Sequence, residues 1–205
     1  HEGEFKDGLP NGQGAKTHPD GSMRIGNFKD DLLDGQGKWL SPDKKVFLIG
    51  EWKEGRPNGH VIQSSPYSIY VGEVKNGEKN TLGTEIILNQ GAGDDIYFGG
   101  FKDHKRNGYG HHLFFKGDRK TEYFKKYFGE FKNHKKFGQG IQSWKNGKKI
   151  IGEWKDDSLW NGTEYNKDGT ITGIYLSGKW QKNINPYLIG NKVLFATKVS
   201  GEKKA

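Results

Sequence analysis

Eight times along this chain a glycine is followed two residues later by a large apolar side chain, and in seven of the eight a lysine comes next. The instances are Gly3-Glu-Phe5-Lys6, Gly26-Asn-Phe28-Lys29, Gly50-Glu-Trp52-Lys53, Gly72-Glu-Val74-Lys75, Gly99-Gly-Phe101-Lys102, Gly129-Glu-Phe131-Lys132, Gly152-Glu-Trp154-Lys155 and a decayed Gly178-Lys-Trp180-Gln181. Successive lead glycines stand 23, 24, 22, 27, 30, 23 and 26 residues apart. Such a period excludes a single globule around one core. It requires an array of small units, each burying its apolar face against its neighbours.

The unit itself is legible. Around Gly50-Glu-Trp-Lys the side chains alternate, so Trp52 points to one face while Glu51 and Lys53 share the other, as on a half-buried strand. Then come the turn formers Glu54-Gly55-Arg56-Pro57-Asn58-Gly59, a second short run, and another polar turn such as His18-Pro-Asp20-Gly21 or Lys145-Asn146-Gly147. Each unit is therefore expected to be one β-hairpin. The predicted fold is all-β: an elongated single-layer array of stacked antiparallel hairpins, with seven full repeats and a degenerate eighth over residues 1–182. The row Phe5, Phe28, Trp52, Phe101, Phe131, Trp154 and Trp180 seals it by lying over neighbouring glycine backbone. At about 4.8 Å per strand, the rod is on the order of 80 Å long. From Asn183-Ile-Asn185-Pro186 the pattern breaks. Residues 183–205 are expected to cap the open edge with a strand near Val193–Val199 and to end in a frayed tail.

A second glycine pair recurs 9 and 11 residues after the lead glycine, at Gly12/Gly14, Gly35/Gly37, Gly108/Gly110 and Gly138/Gly140. The third unit keeps only Gly59, the fourth only Gly83, and the seventh is out of register at Gly162. In this pattern the chain resembles the MORN repeat (membrane occupation and recognition nexus), roughly Tyr-x-Gly-x-Phe-x-x-Gly-x-x-x-Gly-x-Gly. Tyr70, Tyr97 and Tyr127 supply the tyrosine two places before the glycine. The resemblance implies a non-enzymatic scaffold or protein–protein interaction module in a cytoskeletal, ciliary or membrane-associated assembly. It equally permits a phospholipid-binding array that targets a larger enzyme, such as a lipid kinase or a lysine methyltransferase.

Composition fits a thin sheet. Only 31% of residues are hydrophobic and 32 are glycine, whereas aromatics reach 13%; rings supply the volume that a deep core would otherwise supply. No apolar run approaches the roughly 18 residues of a membrane helix, and no signal peptide opens the chain. The absence of cysteine excludes disulfides and thiolate metal sites and agrees with an intracellular, cytoplasmic protein. The chain opens at His1, inside a repeat, as expected of a segment of a longer protein.

No nucleophile, base and orienting group fall into a recognisable set, and no catalytic residue, metal site or cofactor is expected. His104 and His134 lie five residues after their lead glycines, where other units carry Gly8, Asp31, Gly55, Gly77 and Asp157; all tolerate a left-handed turn. His111 and His112, adjacent on a strand, should face opposite ways and make a poor metal pair. Gly173–Trp180 nearly spells a phosphate loop but lacks its Ser or Thr, and reads as a decayed repeat start. The stretch Asp30–Gly35 lacks calcium-loop spacing, and Asn161-Gly-Thr163 has no secretion signal behind it.

Charge rises above this architecture. Residues 1–100 carry 11 Lys/Arg against 15 Asp/Glu, a net of −4; residues 101–205 carry 22 against 10, a net of +12. The excess clusters at Lys105-Arg106, Lys116, Arg119-Lys120, Lys125-Lys126, Lys135-Lys136 and Lys148-Lys149, with Phe114, Phe115, Tyr123, Phe124, Tyr127 and Phe128 interleaved. One reading is a solvated surface. The other is a partner surface formed by Lys125, Lys126, Lys135, Lys136, Lys148, Lys149, Phe124 and Tyr127. An acidic protein surface or tail suits a stiff rod; anionic phospholipid is the other candidate. No nucleic-acid-binding module appears. Pairing of two rods, or end-to-end assembly, is compatible with the open edges.

Overall fold

The computed structural model describes residues 1–88, 93–115 and 123–182. Lys116, Arg119, Lys120 and the expected cap and tail at 183–205 lie outside the described residues. Sixteen strands form one antiparallel sheet in which spatial order equals chain order. The first four hairpins are Glu2–Lys6 with Leu9–Thr17 (β1, β2), Met23–Lys29 with Leu32–Leu40 (β3, β4), Phe47–Lys53 with Arg56–Ser65 (β5, β6) and Ser68–Lys75 with Glu78–Ile87 (β7, β8). The next four are Asp95–Lys102 with Lys105–Phe115 (β9, β10), Tyr123–Lys132 with Lys135–Trp144 (β11, β12), Lys149–Lys155 with Ser158–Tyr165 (β13, β14) and Ile171–Leu176 with Lys179–Lys182 (β15, β16).

Every hairpin closes through two residues of positive φ, four and five places after the lead glycine. Asp103 (50°) and His104 (64°), and Asn133 (50°) and His134 (70°), take the positions that Asp7 and Gly8 hold in the first unit. These are the mirror-image turns whose twist matches the strands they join. The second turn residue also donates its N–H to the preceding hairpin, as His134 does to the Arg106 carbonyl at 3.0 Å and Asp157 to that of Lys136 at 3.1 Å. The histidines therefore hold backbone in place.

This turn phase corrects the eighth unit. Its turn is Ser177 (49°) and Gly178 (78°), so its lead glycine is Gly173 and its sealing residue Tyr175. Trp180 lies on β16 opposite Tyr175 and is 47% exposed. Phe5, in the first unit, is 57% exposed. The sealing residues between the ends, Phe28, Trp52, Phe101, Phe131 and Trp154, are buried, because each has a hairpin on both sides.

The glycines pair across the sheet in a row that Val61 interrupts between Gly50 and Gly72. Gly72↔Gly83↔Gly99↔Gly110↔Gly129↔Gly140↔Gly152 are successive cross-strand neighbours. One face of the sheet, the core face, is filled by side chains that lean over this row. Two buried clusters result: Phe28, Leu33 and Trp52 in one, and Val61 through Leu159 in the other, with Leu48 packed against both.

Candidate functional site

Tyr70, Tyr97 and Tyr127 stand on the core face two residues before a lead glycine, and their rings lie flat over the glycine pair. A Cβ on Gly110 would sit 2.5 Å from the Tyr97 ring, and one on Gly140 2.2 Å from the Tyr127 hydroxyl oxygen. The hydroxyls donate to main-chain carbonyls of Glu73 (2.8 Å), Gly100 (2.9 Å) and Glu130 (3.1 Å). Edge-to-face contacts then run without a break through Tyr70, Phe101, Tyr97, Phe131, Tyr127 and Trp154, with centroids 5.1–5.4 Å apart. Burial pushes the Tyr70 and Tyr97 phenols up to about 12 and that of Tyr127 further in the same direction.

Opposite each sealing residue, five places along, the first three units carry Pro10, Leu33 and Pro57. The next three carry cations: Lys79 opposite Val74, Arg106 opposite Phe101 and Lys136 opposite Phe131. Each cation covers its own unit's tyrosine, Lys79 at 4.7 Å from the ring centroid, Arg106 at 4.7 Å and Lys136 at 5.2 Å. Lys136 also lies 4.5 Å from Trp154 and 6.0 Å from Phe114. Six residues beyond each cation, on the same strand, is a polar partner: Glu85, His112 and Gln142, cross-strand neighbours of Tyr70, Tyr97 and Tyr127.

The three partners are not equivalent. Glu85 accepts from Lys79 through Oε1 and from Arg106 Nη2 at 3.0 Å through Oε2. Burial pushes its carboxyl up, but Lys79 and Arg106 outweigh that and hold it below the usual range. His112 Nε2 lies 3.2 Å from Arg106 Nη1 and 3.7 Å from Asp95 Oδ2; burial, with Arg106 and Lys136 nearby, lowers its pKa despite Asp95. Gln142 offers Lys136 only an amide oxygen. Burial, assisted by the charge of Lys125, pushes the Lys136 ammonium down to about 8.

The basic pairs do not form one surface. Strand alternation places Lys125, Lys136 and Lys148 toward the core face and Lys126, Lys135 and Lys149 toward the opposite, open face. Lys125 covers the Phe114 ring at 4.4 Å, and Lys148 pairs with Glu164 at 2.9 Å. Tyr127, expected at a partner surface, is fully buried, and Lys136 is 9% exposed; both turn inward because their register positions face the glycine row. Phe124 is exposed on the open face, beside the exposed Phe128 and Lys126. Lys79, Glu85, Arg106, His112 and Gln142 were missed as a set. Counting five residues on from Val74, Phe101 and Phe131 would have found the cations.

The family model for the MORN repeat matches residues 1–23, 25–46, 49–60, 97–119 and 127–149. The chain belongs to the MORN-repeat family. No curated protein matches it. The MORN sheet runs past the matched repeats to Lys182. Its unmatched units are the fourth, with Thr81 in the first glycine slot, the seventh, where Glu153↔Asn161 and Trp154↔Leu159 leave a one-residue bulge, and the short eighth, Ile171–Leu176 with Lys179–Lys182. Among the described residues no group of three or more His, Cys, Asp or Glu is placed to hold a metal ion, and no helix is long and apolar enough to cross a membrane.

Proposed function

We propose that this MORN array is a non-catalytic interaction scaffold whose core face, over hairpins four to six, receives an acidic segment of a partner protein. The observation that supports it is the row of cations mounted on aromatic rings, Lys79, Arg106, Lys136 and Lys125, the last three of them in the half of the chain with excess positive charge. Such cations are attracted to the rings beneath them; Glu85 already holds Lys79 and Arg106, whereas Lys136 and Lys125 have no carboxylate at ion-pair distance among the described residues and are left to an anion from above. A sheet held by nearest-neighbour contacts presents this row at fixed spacing, as a scaffold in a cytoskeletal, ciliary or membrane-associated assembly would require. Binding of a glutamate-rich peptide at low salt, weakened as ionic strength rises, is the expected result. Lys125→Glu should weaken it, whereas Lys126→Glu and Lys135→Glu, on the open face, should have little effect. Equal loss from all three would place binding in the overall field of the protein and remove the core face from the proposal.

The open face supports a second reading. Phe98, Tyr109, Phe124 and Phe128 are exposed there beside Lys102, Lys126 and Lys132, a mixture suited to an anionic lipid surface. Vesicle binding that is lost with Lys126→Glu and kept with Lys125→Glu is its expected signature.

A further inference from the structure

Acids and bases match along the core face until the sixth hairpin. Glu85 serves Lys79 and Arg106 with one oxygen each, Asp95 stands beside His112, and Glu164 holds Lys148. Among the described residues, the core face between Asp95 and Glu164 carries Phe114, Lys125, Tyr127, Lys136 and Gln142, with no acid among them. Among the described residues neither Lys125 nor Lys136 has a carboxylate at ion-pair distance. The Asp157 carboxylate is occupied at the Lys136 main-chain N–H, 2.9 Å away.

We propose that this gap is a carboxylate subsite: an Asp or Glu side chain of an acidic peptide segment enters over Phe114, between the Lys125 and Lys136 ammoniums. The proposal rests on the acidic-partner reading above and narrows it to one place. The molecule contains its own precedent. Glu85 stands six residues beyond Lys79 and spreads its two oxygens over two cations; the same position beyond Lys136 holds Gln142, the neutral isostere. Two ammoniums over one ring, at 4.4 and 6.0 Å from its centroid, leave a planar monoanion with two acceptor atoms as the complementary group. The buried lysine meets only an amide oxygen, so a carboxylate relieves a desolvation penalty already present in the free protein. That sets this site apart from an ordinary exposed lysine.

The test uses the full chain and a blocked hexaglutamate peptide, followed by calorimetry or by the fluorescence of the neighbouring Trp154. Gln142→Glu supplies the missing acid from within. It should raise the melting temperature while weakening the peptide about tenfold or more, the scale of one charge-assisted hydrogen bond. Lys136→Met keeps the stem packed on Tyr127 and Trp154 but removes the charge; it should weaken the peptide similarly with the fold retained. Lys135→Met, on the open face, should bind as the parent does. On peptide addition the Lys136 side chain should titrate at higher pH than its free value of about 8. If the parent binds hexaglutamate in a salt-dependent way and both core-face variants bind equally well, the subsite is wrong and the acidic-partner reading survives. If the parent does not bind the peptide at low salt, the acidic-partner reading itself falls. If the two substitutions weaken binding to phosphatidylserine vesicles but not to the peptide, the gap receives a lipid headgroup and the peptide proposal is overturned.

Discussion

Gly110 and Thr81 show the two demands that the repeat makes on single residues. Gly110 is needed for space: its Cβ would lie 2.5 Å from Tyr97 ring carbons, and that ring is locked between Phe101 and Phe131. Gly110→Ala should cost about 3 kcal/mol in a denaturant titration, the upper part of the overpacking range; a loss under about 1 kcal/mol would mean the ring can lift. Thr81 occupies the slot nine residues after the lead glycine, where Gly138 has φ of 59°, and adopts 58° itself. A β-branched residue there is strained by about 1–3 kcal/mol, offset in part by its hydroxyl hydrogen bond to Glu73. Thr81→Gly should therefore raise the melting temperature, with a gain of up to about 1 kcal/mol. Lys136 gives a pH prediction. Its folded pKa, about 8, lies below the reference 10.5, so between these values the unfolded chain binds more protons. Stability contributed at this site must then rise with pH across that window, by at most about 1.4 kcal/mol per unit. Comparing parent with Lys136→Met between pH 8 and 9.5, below the Tyr70 and Tyr97 ionisations, isolates the effect; parallel profiles would show the ammonium to be solvated.

At the scale of the element, the hairpin is a local object, and most of it could be read locally. Turn formers, alternation around Trp52 and the paired glycines all lie within one period, so the strands follow from neighbouring residues. Two features escaped because they depend on pairing between strands. Gly178-Lys-Trp180 copies the lead motif, yet Gly178 is the turn glycine of a hairpin whose first strand begins near Gly173; only the turn position four and five residues on resolves the phase. Likewise Lys135 and Lys136 are indistinguishable in a charge count. Their faces become distinct once Phe131↔Lys136 is fixed as a cross-strand pair, and half of the expected basic surface then moves to the core face. The turn histidines, in contrast, were legible, since left-handed backbone selects among few residue types. His134→Gly keeps the N–H that reaches Arg106 and removes the side-chain strain at φ 70°. Thermal unfolding should show unchanged or slightly raised stability. A drop above about 1 kcal/mol would reveal that the imidazole contributes more than the backbone it occupies.

The described residues form one sheet with no second layer, so its stability is passed from hairpin to hairpin. Among the described strands, order never departs from chain order, and the two core clusters share Leu48, near the point where Val61 interrupts the glycine row. A structure of this kind grows in length with each repeat while its cross-section stays constant. Sixteen strands at about 4.8 Å give a sheet on the order of 75–80 Å across the strands, whereas a compact globule of this chain length would have a radius of gyration of about 17 Å. A rod of that length has a radius of gyration of roughly 23–25 Å. Small-angle scattering should therefore give a maximum dimension near 80 Å. The radius of gyration should exceed the globular value by about a third or more, without dependence on concentration. A radius near 17 Å would mean that the sheet folds back on itself and covers its core face. The acidic-segment site would then be closed in the free protein, and both the scaffold reading and the carboxylate subsite would need an opening step before any partner could bind.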